Sequence, residues 1–175
     1  MNTASVLFLC THNSARSQMA EGLLRAMAGD RFEVESAGTE KTSVHPLAIR
    51  AMAERGIDIR GQTSKVLEGL MQAPWDVLIT VCDDANERCP FVPGVRQRLH
   101  WSFPDPSRAA GTDEARLAVI RGGGEQIEGG LRGRDTGGRL GRDVKRAWQG
   151  DENRKWERAR GGWRHRTGPG VSKNG

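Results

Sequence analysis

The sequence predicts a doubly wound α/β domain: a mainly parallel four-stranded sheet with helices on both faces. Short apolar runs without polar alternation read as strands covered on both sides. Stretches of helical periodicity separate them. Cys10, Cys82 and Asp105 each fall just after such a run, at the carboxyl ends of strands where sheets of this kind hold their ligands.

Taken in order, residues 5–9 (SVLFL) form the first buried strand, and the string CTHNSARS that follows is loop. From Ser17 the pattern SQMAEGLLRAMAG sets Met19, Leu23, Ala26 and Met27 on one helical face and stops at Gly29. Residues 32–36 alternate as a second strand. Residues 46–55 repeat the helical pattern through Leu47, Ile49, Ala51 and Met52, ending before Gly56. WDVLITV, residues 75–81, is the third strand. A fourth is expected at 98–103, closed by Pro104-Asp105-Pro106, which cannot continue a ladder. Thr112-Asp113-Glu114 opens a last helix that carries Leu117, Ile120, Ile127 and Leu131 at helical spacing. Gly122, Gly123 and Gly124 interrupt it, each costing roughly 1 kcal/mol against alanine, so weakness is expected there. Trp75 and Trp101 are expected at the core's edges.

A chain of 175 residues suits one catalytic domain and is short for two. Its net charge of +5 is unevenly spread: residues 1–116 carry 13 basic and 15 acidic side chains, residues 117–175 carry 14 and 7. Glycine splits likewise, 8 before position 117 and 15 after. The expected organisation is a catalytic domain over residues 1–132 and a basic Gly/Arg-rich flexible tail over 133–175, with a short helical piece near 143–148. Trp148, Trp156 and Trp163 lie in that tail. The only early apolar stretch, 6–9, has no basic lead-in or cleavage pattern, so a cytoplasmic protein without a membrane span is expected. In a reducing compartment three cysteines point to chemistry before staples.

The loop at Cys10 supplies that chemistry. A loop leaving a buried strand and opening a helix converges its backbone N–H groups on one point, where the helix dipole adds positive potential. Thr11, His12, Asn13, Ser14, Ala15, Arg16 and Ser17 make up this oxyanion cradle and its supports. Arg16 offers a planar fork matched to a tetrahedral anion. In that field the Cys10 thiol is expected to ionise more easily, with Ser17 donating to the thiolate and Asn13 bracing the loop. His12 is expected to face solvent.

CTHNSARSQMAE, followed by TVCDDANERCP and HWSFPDPSRAAGT, resembles the thioredoxin-coupled arsenate reductases that share the low-molecular-weight tyrosine phosphatase fold; the likeness spans residues 4–131. It implies that Cys10 attacks arsenate to form a thiol–arsenate adduct and that Asp105 protonates the departing oxygen. It further implies that Cys82 attacks the adduct's sulfur to release arsenite, and that Cys89 takes over the bond to leave a Cys82–Cys89 disulfide for thioredoxin. Phosphate and sulfate would fit the same cradle. The resemblance implies no tightly bound cofactor, a likeness to monomers, and a role in arsenic detoxification.

Spacing adds a mechanical expectation. Were residues 82–89 regular helix, the cysteines would stand about 10 Å apart along its axis, beyond the roughly 7 Å a disulfide spans between Cα atoms. The segment must then loop out on oxidation, for which Asp83, Asp84, Asn86, Glu87 and Arg88 are suitably polar, with Pro90 limiting helix continuation. A zinc site is the rival reading of this pair. The C-x6-C spacing with His12, His45, His100 and His165 scattered gives no compact ligand set, so no metal is assigned.

Many relatives hold potassium with side chains that map to Asn13, Glu21, Ser36 and an acidic residue at position 65. Here that position is Lys65, whose ammonium could replace the ion. Two alternatives remain. A low-molecular-weight tyrosine phosphatase would use Cys10, Arg16 and Asp105 but leave Cys82 and Cys89 idle, and the helix tyrosines usual in those enzymes are missing from a chain without tyrosine. Nucleic-acid binding through the basic tail would be salt-sensitive and sequence-blind.

Overall fold

The computed structural model describes residues 3–89 and 91–132. The expectations placed on Pro90, His165 and residues 133–175, including the helical piece at 143–148 and Trp148, Trp156 and Trp163, lie outside them. The elements run β1 (Ala4–Cys10), α1 (Arg16–Ala28), β2 (Phe32–Gly38), α2 (Pro46–Glu54), β3 (Val77–Thr80), α3 (Asp83–Arg88), β4 (Gln97–His100) and α4 (Asp113–Arg132), with 3₁₀ turns at Leu67–Leu70 and Pro106–Arg108.

The sheet has the order β2-β1-β3-β4 and every pairing is parallel. All seven residues of β1 are buried, as a central strand covered on both faces must be. The edge strand β4 alternates between half-buried and exposed residues. Crossovers leave β1 toward β2 on one side and return past it toward β3 on the other. The crevice beyond the carboxyl ends of β1 and β3 is therefore the topological switch point of the sheet, and Cys10 and Cys82 both stand at it.

The four strands and the three expected helices appear in the expected order, with the short helix α3 added between β3 and β4, and there are three local differences. β4 ends at His100 and not at 103, because the chain there turns to carry Trp101 inward and Phe103 toward the cradle. On α1 the buried face comprises Met19, Ala20, Leu23, Leu24 and Ala28, while Ala26 is exposed and Met27 half-buried. The face is rotated from the expected one because α1 is flanked by β1, β2, α2 and α4. α4 runs unbroken through Gly122, Gly123 and Gly124, where the glycine run was expected to weaken it. A Cβ at 123 or 124 would lie 3.9 or 3.8 Å from Met19 of α1, and burial of Leu117, Ile120, Ile127 and Leu131 holds the helix where propensity alone would not. Trp75 and Trp101 are both buried, as expected.

Gly38 fits the end of β2 to the cradle. A Cβ there would sit 2.6 Å from the Thr11 carbonyl oxygen and 2.9 Å from the Asn13 nitrogen. Beyond it, Thr39 N–H donates to Cys10 O at 3.2 Å and Glu40 N–H to Thr11 O at 2.9 Å. Only a residue without a side chain lets β2 lie this close to the loop that leaves β1.

Candidate active site

Cys10 ends β1 with its side chain buried, and the cradle curls around its sulfur. Asn13 N–H donates to Sγ at 3.1 Å, and Ser17 Oγ lies 2.8 Å from the same atom. The turn that brings the Asn13 amide inward needs a positive φ of 48° at that residue, a conformation asparagine tolerates better than most side chains. Its amide group is tied at both ends: Nδ2 donates to Ser17 Oγ and Ser36 Oγ, each at 2.9 Å, and Oδ1 accepts from Lys65 N–H at 2.8 Å and Gln18 Nε2 at 2.9 Å. Asn13 braces the loop as expected, and a buried network fixes the strained turn.

The remaining cradle residues divide by role. Thr11 Oγ1 lies 3.5 Å from Cys82 Sγ, linking the two sulfurs' surroundings. His12 is exposed and pairs with Glu40 at 3.5 Å. Ser14 and Ala15 line the pocket with Cys10 and Arg16. The Arg16 guanidinium points to the loop after β4: Nη1 donates to Phe103 O at 3.0 Å, and Nη2 lies 3.4 Å from Asp105 Oδ1. Arg16 and Asp105 thus face each other across the pocket mouth.

This geometry corrects one expectation. Burial pushes the Cys10 thiol above its ordinary range; hydrogen bonds from Ser17 and the Asn13 amide pull the other way, and Cys82 adds to the rise. The direction is opposite to the easier ionisation that the loop pattern suggested. The physical reason is that the sulfur's loss of water outweighs the donors that the cradle turns on it.

Cys82 caps the amino end of α3, its Sγ accepting from Ala85 N–H at 3.4 Å, and Cys89 caps the carboxyl end. Cys82 is buried and Cys89 half-buried, and both are free thiols. Burial pushes the Cys89 thiol up, with Arg98 opposing. The helix between them fits the condition under which sequence spacing requires local unwinding before these sulfurs can bond. Asp83, the first residue of α3, is clasped by His100 Nε2 at 2.8 Å and Ser102 Oγ at 3.1 Å; the His100 and Ser102 bonds hold its carboxyl below the usual carboxylate range.

Asn13, Glu21, Ser36 and Lys65 come together behind the cradle. Ser36 Oγ donates to Glu21 Oε2 at 2.5 Å, and Lys65 Nζ lies 3.8 Å from that oxygen and 3.1 Å from Glu35 Oε2. Among the described residues no group of three or more His, Cys, Asp or Glu side chains is arranged to hold a metal ion, and no helix is long and apolar enough to cross a membrane.

Two site residues escaped sequence reasoning. Gln18, fully buried, donates to Asn13 O at 3.1 Å and to Thr63 O at 3.0 Å, joining the cradle to a distant loop. His45 lines the pocket and caps α2. The His-Pro pair at a helix start was the available signal, because Pro46 at the first turn puts residue 45 at an N-cap.

The family model for low molecular weight phosphotyrosine protein phosphatase matches residues 5–117. The arsenate reductase of Halalkalibacterium halodurans is 46% identical over 121 residues, 69% of this chain and 87% of that protein. A solved arsenate reductase in the phosphate-binding state superposes with a TM-score of 0.59 at 36% identity, covering 72% of this chain and 92% of the other. The thioredoxin-dependent arsenate reductase of Corynebacterium glutamicum gives a TM-score of 0.53 at 34% identity, over 71% of this chain and 58% of its own.

Proposed function

Since this chain belongs to the low molecular weight phosphotyrosine protein phosphatase family, we propose that it is an arsenate reductase that carries electrons to arsenic through three sulfurs and is recycled by thioredoxin. One observation carries the reading: a nucleophilic Cys10 in an oxyanion cradle stands at the same crevice as a second buried thiol, Cys82, and a third, Cys89, ends the short helix that Cys82 begins. Ester hydrolysis has no use for the second and third.

Cys10 sulfur bonds to arsenic and an arsenate oxygen leaves as water, with Asp105 placed at the pocket mouth to supply its proton. Cys82 then attacks Cys10 sulfur. The S–As bond breaks with its electron pair remaining on arsenic, giving As(III) and a Cys10–Cys82 disulfide. Cys89 attacks Cys82, Cys10 leaves as thiolate, and unwinding of α3 lets residues 82 and 89 meet. A dithiol of thioredoxin reduces the Cys82–Cys89 bond, which balances the two electrons given to arsenic. No tightly bound cofactor enters. The catalytic unit is residues 1–132, it works as a cytoplasmic monomer in arsenic resistance, and residues 133–175 are an appended tail.

Arsenite formation with thioredoxin, thioredoxin reductase and NADPH tests the order of the sulfurs. Cys10→Ser abolishes turnover, and Cys82→Ser and Cys89→Ser each lose multiple turnover, with a Cys10–Cys82 disulfide accumulating in Cys89→Ser. Sustained multiple turnover by Cys89→Ser would refute the order.

Lys65 serves in place of a bound cation beside Glu21, a reading supported by its ammonium lying 3.8 Å from that buried carboxylate. Initial rates should accordingly stay within about twofold as potassium replaces a large organic cation at constant ionic strength; strong potassium activation would count against it. Weak hydrolysis of a small aryl phosphate is the second activity that the Cys10, Arg16 and Asp105 set supports.

A further inference from the structure

The pocket wall holds a polar group that none of these steps employs. His45 lines the pocket beside Cys10, Arg16 and Asp105, and its backbone N–H donates to Ser14 O at 2.9 Å, tying it to the cradle. Leu47 N–H donates to Nδ1 at 3.1 Å. A ring nitrogen that accepts carries no proton, so the neutral imidazole bears its hydrogen on Nε2. Burial first, then Arg116, hold this ring below the ordinary histidine range, with Asp113 opposing. The side chain that reaches Nε2 is Arg116, whose Nη2 is 3.4 Å away. A guanidinium has only donors, so with Nδ1 accepting from Leu47 N–H, Arg116 cannot accept the Nε2 hydrogen. The unprotonated oxygens of a tetrahedral oxyanion offer acceptors to such a pair.

We propose that His45 binds the oxyanion directly, its Nε2–H donating to an oxygen of the tetrahedral anion held over Cys10, with the Arg116 charge behind it. This rests on the reading of the pocket as an oxyanion site and is independent of the sulfur relay.

Inorganic phosphate is the probe, measured in the full-length chain by protection of Cys10 from iodoacetamide and, in parallel, by arsenate kinetics. His45→Asn keeps an N-cap acceptor for α2 but lacks a donor at the Nε2 position; His45→Ala lacks both. Both variants are expected to need about tenfold more phosphate for half-protection, the scale of one hydrogen bond to a charged group. They should raise KM for arsenate by a similar factor, with kcat within about threefold. Impairment in His45→Ala with wild-type behaviour in His45→Asn would reduce His45 to a helix cap and overturn the proposal, as would wild-type behaviour in both. Should neither variant fold, the His45 ring resonances of the wild-type chain decide: a saturable shift on phosphate titration supports the contact, and none overturns it. If phosphate fails to protect even the wild-type Cys10, the oxyanion pocket itself is refuted along with this assignment.

Discussion

Ser17 is the side chain that most favours the Cys10 thiolate. Its hydroxyl lies 2.8 Å from Sγ and is itself held by Asn13 Nδ2, so it answers the sulfur with a donor already fixed in place. Burial raises the Cys10 pKa and Ser17 is the largest opposing influence. The reactive species is the thiolate, so a raised pKa means slow alkylation at neutral pH and a rate that climbs as pH rises past the ordinary thiol range. Removing Ser17 shifts that climb further to the alkaline side. In a Cys82→Ser/Cys89→Ser background, Ser17→Ala is expected to slow iodoacetamide capture of Cys10 at pH 7.5 by about tenfold, since one unit of pKa corresponds to about 1.4 kcal/mol and a charge-assisted hydrogen bond is worth about that or more. Equal rates across the pH series would show that the hydroxyl does not act on the sulfur.

Among the elements, glycine has opposite meanings at two positions. Nothing lies within 4 Å of a Cβ built at Gly122 of α4, whereas one at Gly38 would press on the Thr11 carbonyl at 2.6 Å. Gly122→Ala is expected to stabilise the protein by about 1 kcal/mol, raising Tm by about 3 °C. Gly38→Ala is expected to lower stability by about 2 kcal/mol through overpacking and to cut arsenate kcat/KM at least tenfold by displacing the cradle. Thermal melts and initial rates on the two variants give the signs. The same contrast shows what a sequence displays at this scale. β1 and β3 were legible because a strand buried on both faces must be apolar throughout, and the cradle because residues 10–17 are contiguous. The continuity of α4 was not, because its three glycines read as a local cost while their compensation comes from packing against α1 and α2. Gln18 and His45 were hidden for a like reason: each acts on the cradle through a contact made only when separate loops converge, Gln18 with Thr63 and His45 with Ser14.

At the scale of the molecule, the sulfur chemistry depends on a core that α4, at the start of the basic third of the chain, helps to close. Ile127 and Leu131 complete α4, and both are buried in the same core as β1. Arg132 is paired with Glu128 at 2.7 Å at the end of that helix. Among the described residues the buried apolar positions of α4 end at Leu131, and the sequence after 132 is rich in glycine and arginine, which supports the proposed boundary there. A chain ending at residue 132 is expected to melt within about 2 °C of the full-length protein and to keep arsenate kcat/KM within about twofold, as an appendage outside the cooperative unit should. The rival reading, in which the basic segment supports the protein's main task by gripping nucleic acid, expects the opposite: a salt-sensitive affinity for single-stranded or duplex DNA that the shortened chain loses. Arsenite formation and DNA retention measured on both chains at two salt concentrations separate the cases. Loss of arsenate turnover on truncation would mean that the catalytic unit extends past 132 and that the boundary drawn at the end of α4 is misplaced.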